Sequence, residues 1–152
     1  MDRESGIAWL GMARVQRLSG KLSQAAETLT RARRLLPDED PSASAESALL
    51  CLDQGDLDGA TQHIDAASIR GEGAIVSYVR GNIAANQGHL KAAKSYFDEA
   101  IETDPTHVRA RLNRASIHMA SGNAQDALDD ANVLLELAPG LALAKLRRAE
   151  AN

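Results

Sequence analysis

The sequence predicts an all-α fold, and three observations lead to this prediction. The chain of 152 residues is long enough for a domain with a substantial core, yet only 3% of its residues are aromatic. Its apolar residues are mostly alanine and leucine, which is typical of closely packed helices. A pattern of glycine, alanine and proline also recurs with a period near 34 residues. A repeated unit of this length indicates an array of stacked helices.

The repeated unit is marked most clearly by glycines. Gly20, Gly55, Gly88 and Gly122 lie 35, 33 and 34 residues apart, and each is followed five residues later by alanine. A small residue stands seven positions before each glycine, and proline stands seventeen positions after all but one of them. Glycine suits the turn after a first helix because it tolerates positive φ, and proline cannot continue a second helix. Each unit is therefore predicted to be a helical hairpin.

These marks divide the chain into segments and place the helices in order. The predicted segments are a leader over 1–5, units over 6–39, 40–73, 74–107 and 108–141, and an extra or capping helix over 142–152. First helices are expected near 6–19, 41–53, 74–87, 108–121 and 142–151. Second helices are expected near 23–36, 58–69, 91–103 and 125–137.

Local features justify individual helix ends. Asp40 followed by Pro41 predicts a capped helix start. The second unit is degenerate, because Glu72 stands where the other units have proline, and IRGEG over 69–73 is an expected irregularity. The last segment, LALAKLRRAEAN, repeats the pattern of a first helix and carries Leu143 and Leu146. An apolar end favours part of a longer solenoid over a makeshift cap.

The unit resembles the tetratricopeptide repeat (TPR) over nearly the whole chain. The match is best over 74–107, where the family positions hold Gly81, Gly88, Ala93, Phe97, Ala100 and Pro105. The resemblance implies a right-handed α-solenoid whose first helices line a concave groove for a peptide or a partner helix. Carried over by position, the groove residues are Leu10, Arg14, Leu49, Tyr78, Asn82, Asn86, Arg109, Leu112, Asn113, Ser116 and Arg147.

The predicted role is a non-catalytic protein-interaction module, with two alternatives. Asn82, Asn113 and Arg147 match the carboxylate clamp of chaperone-binding TPR proteins, although Tyr78 and Leu143 occupy its two lysine positions. The second alternative is head-to-tail self-assembly, in which the basic first unit meets the acidic second unit. The composition also resembles bacterial TPR scaffolds, including lipoproteins linked to exopolysaccharide export, by analogy alone.

Several other functions are not indicated by the sequence. The net charge of −4 argues against nucleic-acid binding, and no apolar run is long enough to insert into a membrane. No nucleotide-binding or hydrolase motif occurs, so we expect neither an enzyme nor a cofactor. The compartment stays open, with a soluble cytoplasmic or periplasmic protein expected.

Single reactive residues are expected to be structural. Cys51 is the only cysteine, and the four histidines lack metal-ligand spacing, so no metal site is expected. Cys51 and His118 fall at positions that pack inside the hairpin. Asp129 and Asp130 lie on a second helix, which this family turns outward, and solvated side chains are expected there.

Overall fold

The computed structural model describes residues 2–38, 40–68 and 73–140. Within these ranges the chain forms eight α-helices. They are α1 (Arg3–Leu18), α2 (Leu22–Leu35), α3 (Pro41–Asp53), α4 (Leu57–Ser68), α5 (Ala74–Asn86), α6 (Leu90–Thr103), α7 (Val108–Ala120) and α8 (Ala124–Leu137). None of these helices is long and apolar enough to cross a bilayer.

Consecutive helices pair into hairpins, and a glycine turns the chain in each one. The φ angles of the glycines are 78° at Gly20, 79° at Gly55, 80° at Gly88 and 77° at Gly122. The next residue donates its N–H to the carbonyl five residues before it, as Asn123 does to His118 at 2.8 Å. This bond satisfies a carbonyl at the helix end. The predicted role of the four glycines is therefore confirmed.

The hairpins stack in sequence. The first helix of each hairpin packs on the second helix of the hairpin before it, as α3 does on α2, α5 on α4 and α7 on α6. The first helices also adjoin one another, because α1 contacts α3 and α3 contacts α5. The predicted all-α solenoid of stacked hairpins is confirmed.

The core depends on small residues at the closest helix approaches. Ala48, Ala60, Ala93 and Ala100 are fully buried, as their recurrence in the sequence predicts. A Cβ on Gly81 would collide with the ring of Phe97, which packs against this position. Larger side chains at such positions would push the helices apart.

The helix ends agree with the predictions except at the start of the chain. Asp40 caps α3 as predicted, since its side chain accepts the N–H of Ser42 at 2.9 Å. Asp2 caps α1 in the same way and accepts the N–H of Ser5 at 3.2 Å, so α1 begins at Arg3. The first helix therefore starts three residues before its predicted start near residue 6.

Two predicted features lie outside the described residues. One is the irregularity over 69–73, of which only Gly73 is described, as the N-cap of α5. The other is the extra helix over 142–152, with Leu143, Leu146 and Arg147.

Candidate protein-binding surface

The first helices α1, α3, α5 and α7 form the row on which the groove residues were predicted. Side chains connect neighbouring helices in this row. Arg14 of α1 donates to Glu46 of α3 at 3.1 Å, and Asn113 of α7 donates to Asn82 of α5 at 2.8 Å. The row therefore presents a surface whose side chains are positioned by contacts within the protein.

Three asparagines form the polar part of this surface. Asn82 donates to the carbonyl of Tyr78 at 3.1 Å, and Asn86 donates to the carbonyl of Asn82 at 2.9 Å. Asn82 Oδ1 accepts the bond from Asn113, while Asn113 Oδ1 accepts none from a described residue. Each amide has two donor hydrogens and two acceptor lone pairs. The asparagines therefore keep hydrogen-bonding capacity for a partner.

Three of the predicted groove residues lie in the core beneath the surface. Leu10, Leu49 and Tyr78 are buried. The Tyr78 ring lies 4.9 Å from the ring of His107 and 6.2 Å from that of Phe97, measured between centroids. These side chains therefore pack beneath the surface of the first helices and have little exposed area for contact with a partner.

A small apolar cavity of about 240 Å³ opens between α5, α6 and α7. Its lining includes the predicted groove residues Asn113 and Ser116. The rest of the lining is apolar and consists of Ala85, Leu90, Phe97, Ile117 and Ala120. Pockets for drug-sized ligands usually measure about 300–1,000 Å³, so this cavity matches one or two protein side chains better.

The predicted cations of the surface differ in their surroundings. Arg14 is engaged by Glu46, whereas Arg109, half-buried at the start of α7, makes no ion pair with a described residue. Leu112 and Asn113 are half-buried beside it, and Ser116 is exposed. Arg147 lies outside the described residues.

A buried ion cluster joins α1 to α3 and was missed by the sequence analysis. Glu46 is only 2% exposed and accepts hydrogen bonds from Arg14 and Arg17. Arg17 also donates to Asp53 at 2.9 Å. Burial opposes the charge on Arg17, but its bonds to the two carboxylates raise its pKa overall. The sequence carried one signal of this buried cluster, because Glu46 is the only acid in PSASAESALL (41–50), a stretch of otherwise small and apolar residues.

A second ion cluster corrects the prediction for Asp130. Asp130 is buried and accepts hydrogen bonds from Arg111 at 3.3 Å and from Arg114 at 2.9 Å. Arg114 also donates to Asp98 of α6 at 2.9 Å. The hydrogen bonds to Asp130 raise the pKa of Arg114. The prediction was wrong because α7 places two arginines over this part of α8, whereas Asp129 is exposed as expected.

The surroundings of His118, Cys51 and His107 indicate structural roles for these three residues. His118 is buried as predicted, and burial raises the pKa of the half-buried Cys51 thiol, which disfavours a nucleophilic thiolate. His107 caps α7, since Nδ1 accepts the N–H of Ala110 at 3.1 Å. In the described part of the chain, no three histidine, cysteine or acidic side chains are grouped so that they could hold a metal ion.

Comparison with protein families gives one family over most of the chain. The profile of the tetratricopeptide repeat matches residues 4–74 and 78–142. A 67-residue stretch is 36% identical to the tetratricopeptide repeat and J domain-containing co-chaperone DNJ1 of Fusarium oxysporum f. sp. lycopersici. This stretch covers 41% of the chain but only 13% of that co-chaperone.

Solved structures with this fold include other TPR proteins. TTC0263, a thermophilic TPR protein of Thermus thermophilus, superposes with a TM-score of 0.78 at 20% identity, covering 96% of this chain and 80% of that one. YrrB, described as a TPR protein with an unusual peptide-binding site, gives a TM-score of 0.55 at 19% identity. That match covers 89% of this chain and 70% of YrrB. At these identities the likeness shows the fold alone.

Proposed function

Because the chain belongs to the tetratricopeptide repeat family, we propose that it is a non-catalytic module that binds an extended peptide segment of a partner protein across α5 and α7. The observation that carries this proposal is the position of the apolar cavity beside Asn113, where hydrogen-bonding groups and an apolar pocket adjoin. Pockets that combine apolar lining with a few placed polar groups are the usual form of a ligand site.

The asparagines supply recognition of a peptide backbone. An extended peptide has unpaired N–H and C=O groups along both edges, and a side-chain amide can donate to one and accept from the other. Asn82 and Asn113 are held in place by their mutual hydrogen bond. Binding therefore requires little ordering of the receptor, which favours affinity.

The cavity and Arg109 supply sequence preference. An apolar side chain of the peptide enters the space lined by Leu90, Phe97 and Ile117. Arg109 lies four residues before Asn113 and so on the same face of α7, one turn away. The preferred peptide therefore carries an apolar residue with an acidic residue nearby in its sequence.

The carboxylate clamp, which would bind a peptide C-terminus, has less support than the proposed peptide site across α5 and α7. One lysine position of the clamp holds Tyr78, whose ring is buried against His107. The other lysine position holds Leu143, and the matching Arg147 lies, like Leu143, outside the described residues. The asparagines alone hydrogen-bond equally well to an internal stretch of peptide.

The test is selection from a random peptide display library followed by titration of a synthesised peptide. Ala120→Phe places a ring at the cavity, and Ala92→Phe makes the same change at an exposed position of α6 outside its lining. We expect Ala120→Phe to weaken binding at least tenfold, and Ala92→Phe to leave the Kd unchanged. Arg109→Gln should weaken binding of peptides with an acidic residue selectively.

Two results would contradict the proposal. One is a library that yields no peptide above background. The other is a peptide whose Kd changes equally with Ala120→Phe and Ala92→Phe, because binding would then occur away from the cavity. Circular dichroism of both variants shows whether a loss of binding is a loss of folding.

A further inference from the structure

The outward face of α1 is apolar and unoccupied by any described residue. Eight large apolar side chains are exposed in the described part of the chain, and four of them lie on α1. These are Ile7, Met12, Val15 and Leu18, which are 54%, 48%, 63% and 56% exposed. At 3.6 residues per turn, Ile7, Gly11, Val15 and Leu18 fall within roughly 80° of the helix circumference. Ile7, Gly11, Val15 and Leu18 therefore form one continuous face, the α1 stripe. Met12 lies outside this face.

The α1 stripe corresponds only in part to a buried surface on the other first helices. Val15 lies five residues before its turn glycine, and the equivalent residues Leu50, Ile83 and Ile117 are all buried. The equivalents of Ile7 on the other first helices are half-buried, and those of Leu18 are exposed. The Val15 edge of the stripe therefore matches a helix-packing position, whereas Ile7 and Leu18 place apolar side chains where the other helices stay partly or fully exposed.

We propose that the α1 stripe is a homodimer interface in which two copies of the chain pack antiparallel across Gly11. Gly11 stands at the middle of the stripe, with Ile7 four residues before it and Val15 four residues after it. A two-fold axis at Gly11 therefore sets Ile7 of one copy against Val15 of its partner. No atom lies within 4 Å of a Cβ built on Gly11, so the two backbones can approach closely there.

The charges at the two ends of α1 favour this orientation. Glu4 lies in the first turn, and Lys21 follows the helix, just beyond Leu18. Neither side chain makes an ion pair with another described residue. In an antiparallel pair Glu4 faces Leu18 of the second copy and lies near its Lys21. A parallel pair would instead bring like charges together and align the two helix dipoles unfavourably.

The proposed contact limits the assembly to two copies and has a small interface area. An isologous interface uses the same surface on both copies, so the assembly stops at a dimer and does not grow into a filament. One helix from each copy gives an interface at the low end of the usual range, below about 1,200 Å². Dimerisation in the micromolar range is therefore expected. The contact involves neither α5 nor α7, so it is independent of peptide binding there.

The first test is sedimentation velocity over a range of protein concentrations. We expect the wild type to reach twice the monomer mass and Val15→Glu to raise the dimer dissociation constant at least tenfold. Met119→Glu is the matched control, because Met119 is equally exposed but lies on α7. A wild type that stays monomeric, or a Val15→Glu variant that dimerises normally, would overturn the proposal and leave the stripe for a different helical partner.

The second test is disulfide cross-linking in a Cys51→Ser background. A disulfide requires Cα atoms about 4.4–6.8 Å apart, which holds for residues that face each other and, for two copies of the same residue, only near the two-fold axis. Gly11→Cys should therefore form a disulfide-linked dimer, and so should an equal mixture of Ile7→Cys and Val15→Cys. Ile7→Cys alone should not, because the two Ile7 positions are separated by about 12 Å along antiparallel helices. Cross-linking of Ile7→Cys alone, or growth beyond a dimer, would contradict the antiparallel two-fold contact.

Discussion

Asn82 and Asn113 are hydrogen-bonded to each other, with 2.8 Å between Asn82 Oδ1 and Asn113 Nδ2. The two residues are 31 positions apart in the chain and lie on α5 and α7, the first helices of consecutive hairpins. The bond therefore has two consequences. It joins two hairpins, and it sets the orientation of two amides on the proposed peptide-binding surface.

Loss of this bond should lower stability modestly. Asn113→Ala removes the donor and leaves Asn82 Oδ1 half-buried without a protein partner. We expect the free energy of unfolding to fall by about 1 kcal/mol, measured by urea denaturation. Ser116→Ala is the control, because Ser116 is exposed and bonds only to its own helix, at the carbonyl of Leu112. Equal effects of the two changes would show that the bond between the helices contributes nothing.

The contact of Gly81 with Phe97 predicts a larger effect. Phe97 is only 1% exposed, and a Cβ on residue 81 would collide with its ring, so the ring or the helix backbone must shift. Gly81→Ala should lower the free energy of unfolding by about 1–3 kcal/mol because the site becomes overpacked. Gly11→Ala, with no neighbouring atom in the monomer, should instead raise it by up to about 1 kcal/mol through helix propensity when measured at a protein concentration too low for dimerisation.

A second substitution distinguishes overpacking from other causes. Phe97→Leu creates space beside residue 81, so the double variant Gly81→Ala/Phe97→Leu should be more stable than the sum of the single effects predicts. Thermal denaturation of the four proteins at low concentration gives this coupling. If the stability changes of the two single variants simply add, the destabilisation by Gly81→Ala does not come from its contact with Phe97.

Helix positions could be predicted from the sequence because their signals are local. Gly88 permits the positive φ that ends one hairpin turn, and Asp40 with Pro41 starts α3. Each of these effects involves residues within a few positions of one another. The start of α1 was misplaced for an equally local reason, since the capping role of Asp2 was overlooked.

Ion pairs could not be predicted in the same way, because they depend on residues far apart in the chain. Arg17 and Glu46 are 29 positions apart and meet only when α1 packs on α3. Asp130 offered a partial signal, because its spacing from Ala127 and Leu134 places all three on one helix face. That face is buried. Burial of Tyr78 likewise depends on its contact with His107, at the start of the next hairpin.

The buried position of Asp130 predicts a strong effect of its removal. Asp130→Ala leaves Arg111 and Arg114 without a buried carboxylate partner, and breaking a buried ion pair from one side typically costs about 3–5 kcal/mol. We expect a loss in this range by urea denaturation. Asp129→Ala changes the neighbouring exposed acid and should stay within about 0.5 kcal/mol of the wild type. A loss below about 1 kcal/mol for Asp130→Ala would mean that solvent reaches the two arginines.

Histidine titration should make the protein less stable in mildly acidic solution. Burial lowers the pKa of His107 below its ordinary value of 6.5, and burial has the same effect on His63. The unfolded chain therefore binds protons near pH 6.5, while the folded chain resists them until a lower pH. Stability is fully present above the unfolded pKa and is lost as pH falls toward the folded pKa. Protonation also removes the Nδ1 acceptor that caps α7.

The measurement is the Tm between about pH 7.5 and pH 5, a range in which histidine titrates. Carboxylates with a lowered pKa, such as Asp98 and Asp104, protonate only below about pH 4 and do not contribute in this range. His107→Asn keeps a capping acceptor but does not titrate, so its Tm should fall less steeply with acid than that of the wild type. His89→Asn makes the same substitution at an exposed histidine at the start of α6 and is the control for the change of side chain itself. If His107→Asn keeps the full wild-type slope, the proton is bound elsewhere, and His63→Asn then tests the other histidine whose pKa burial lowers.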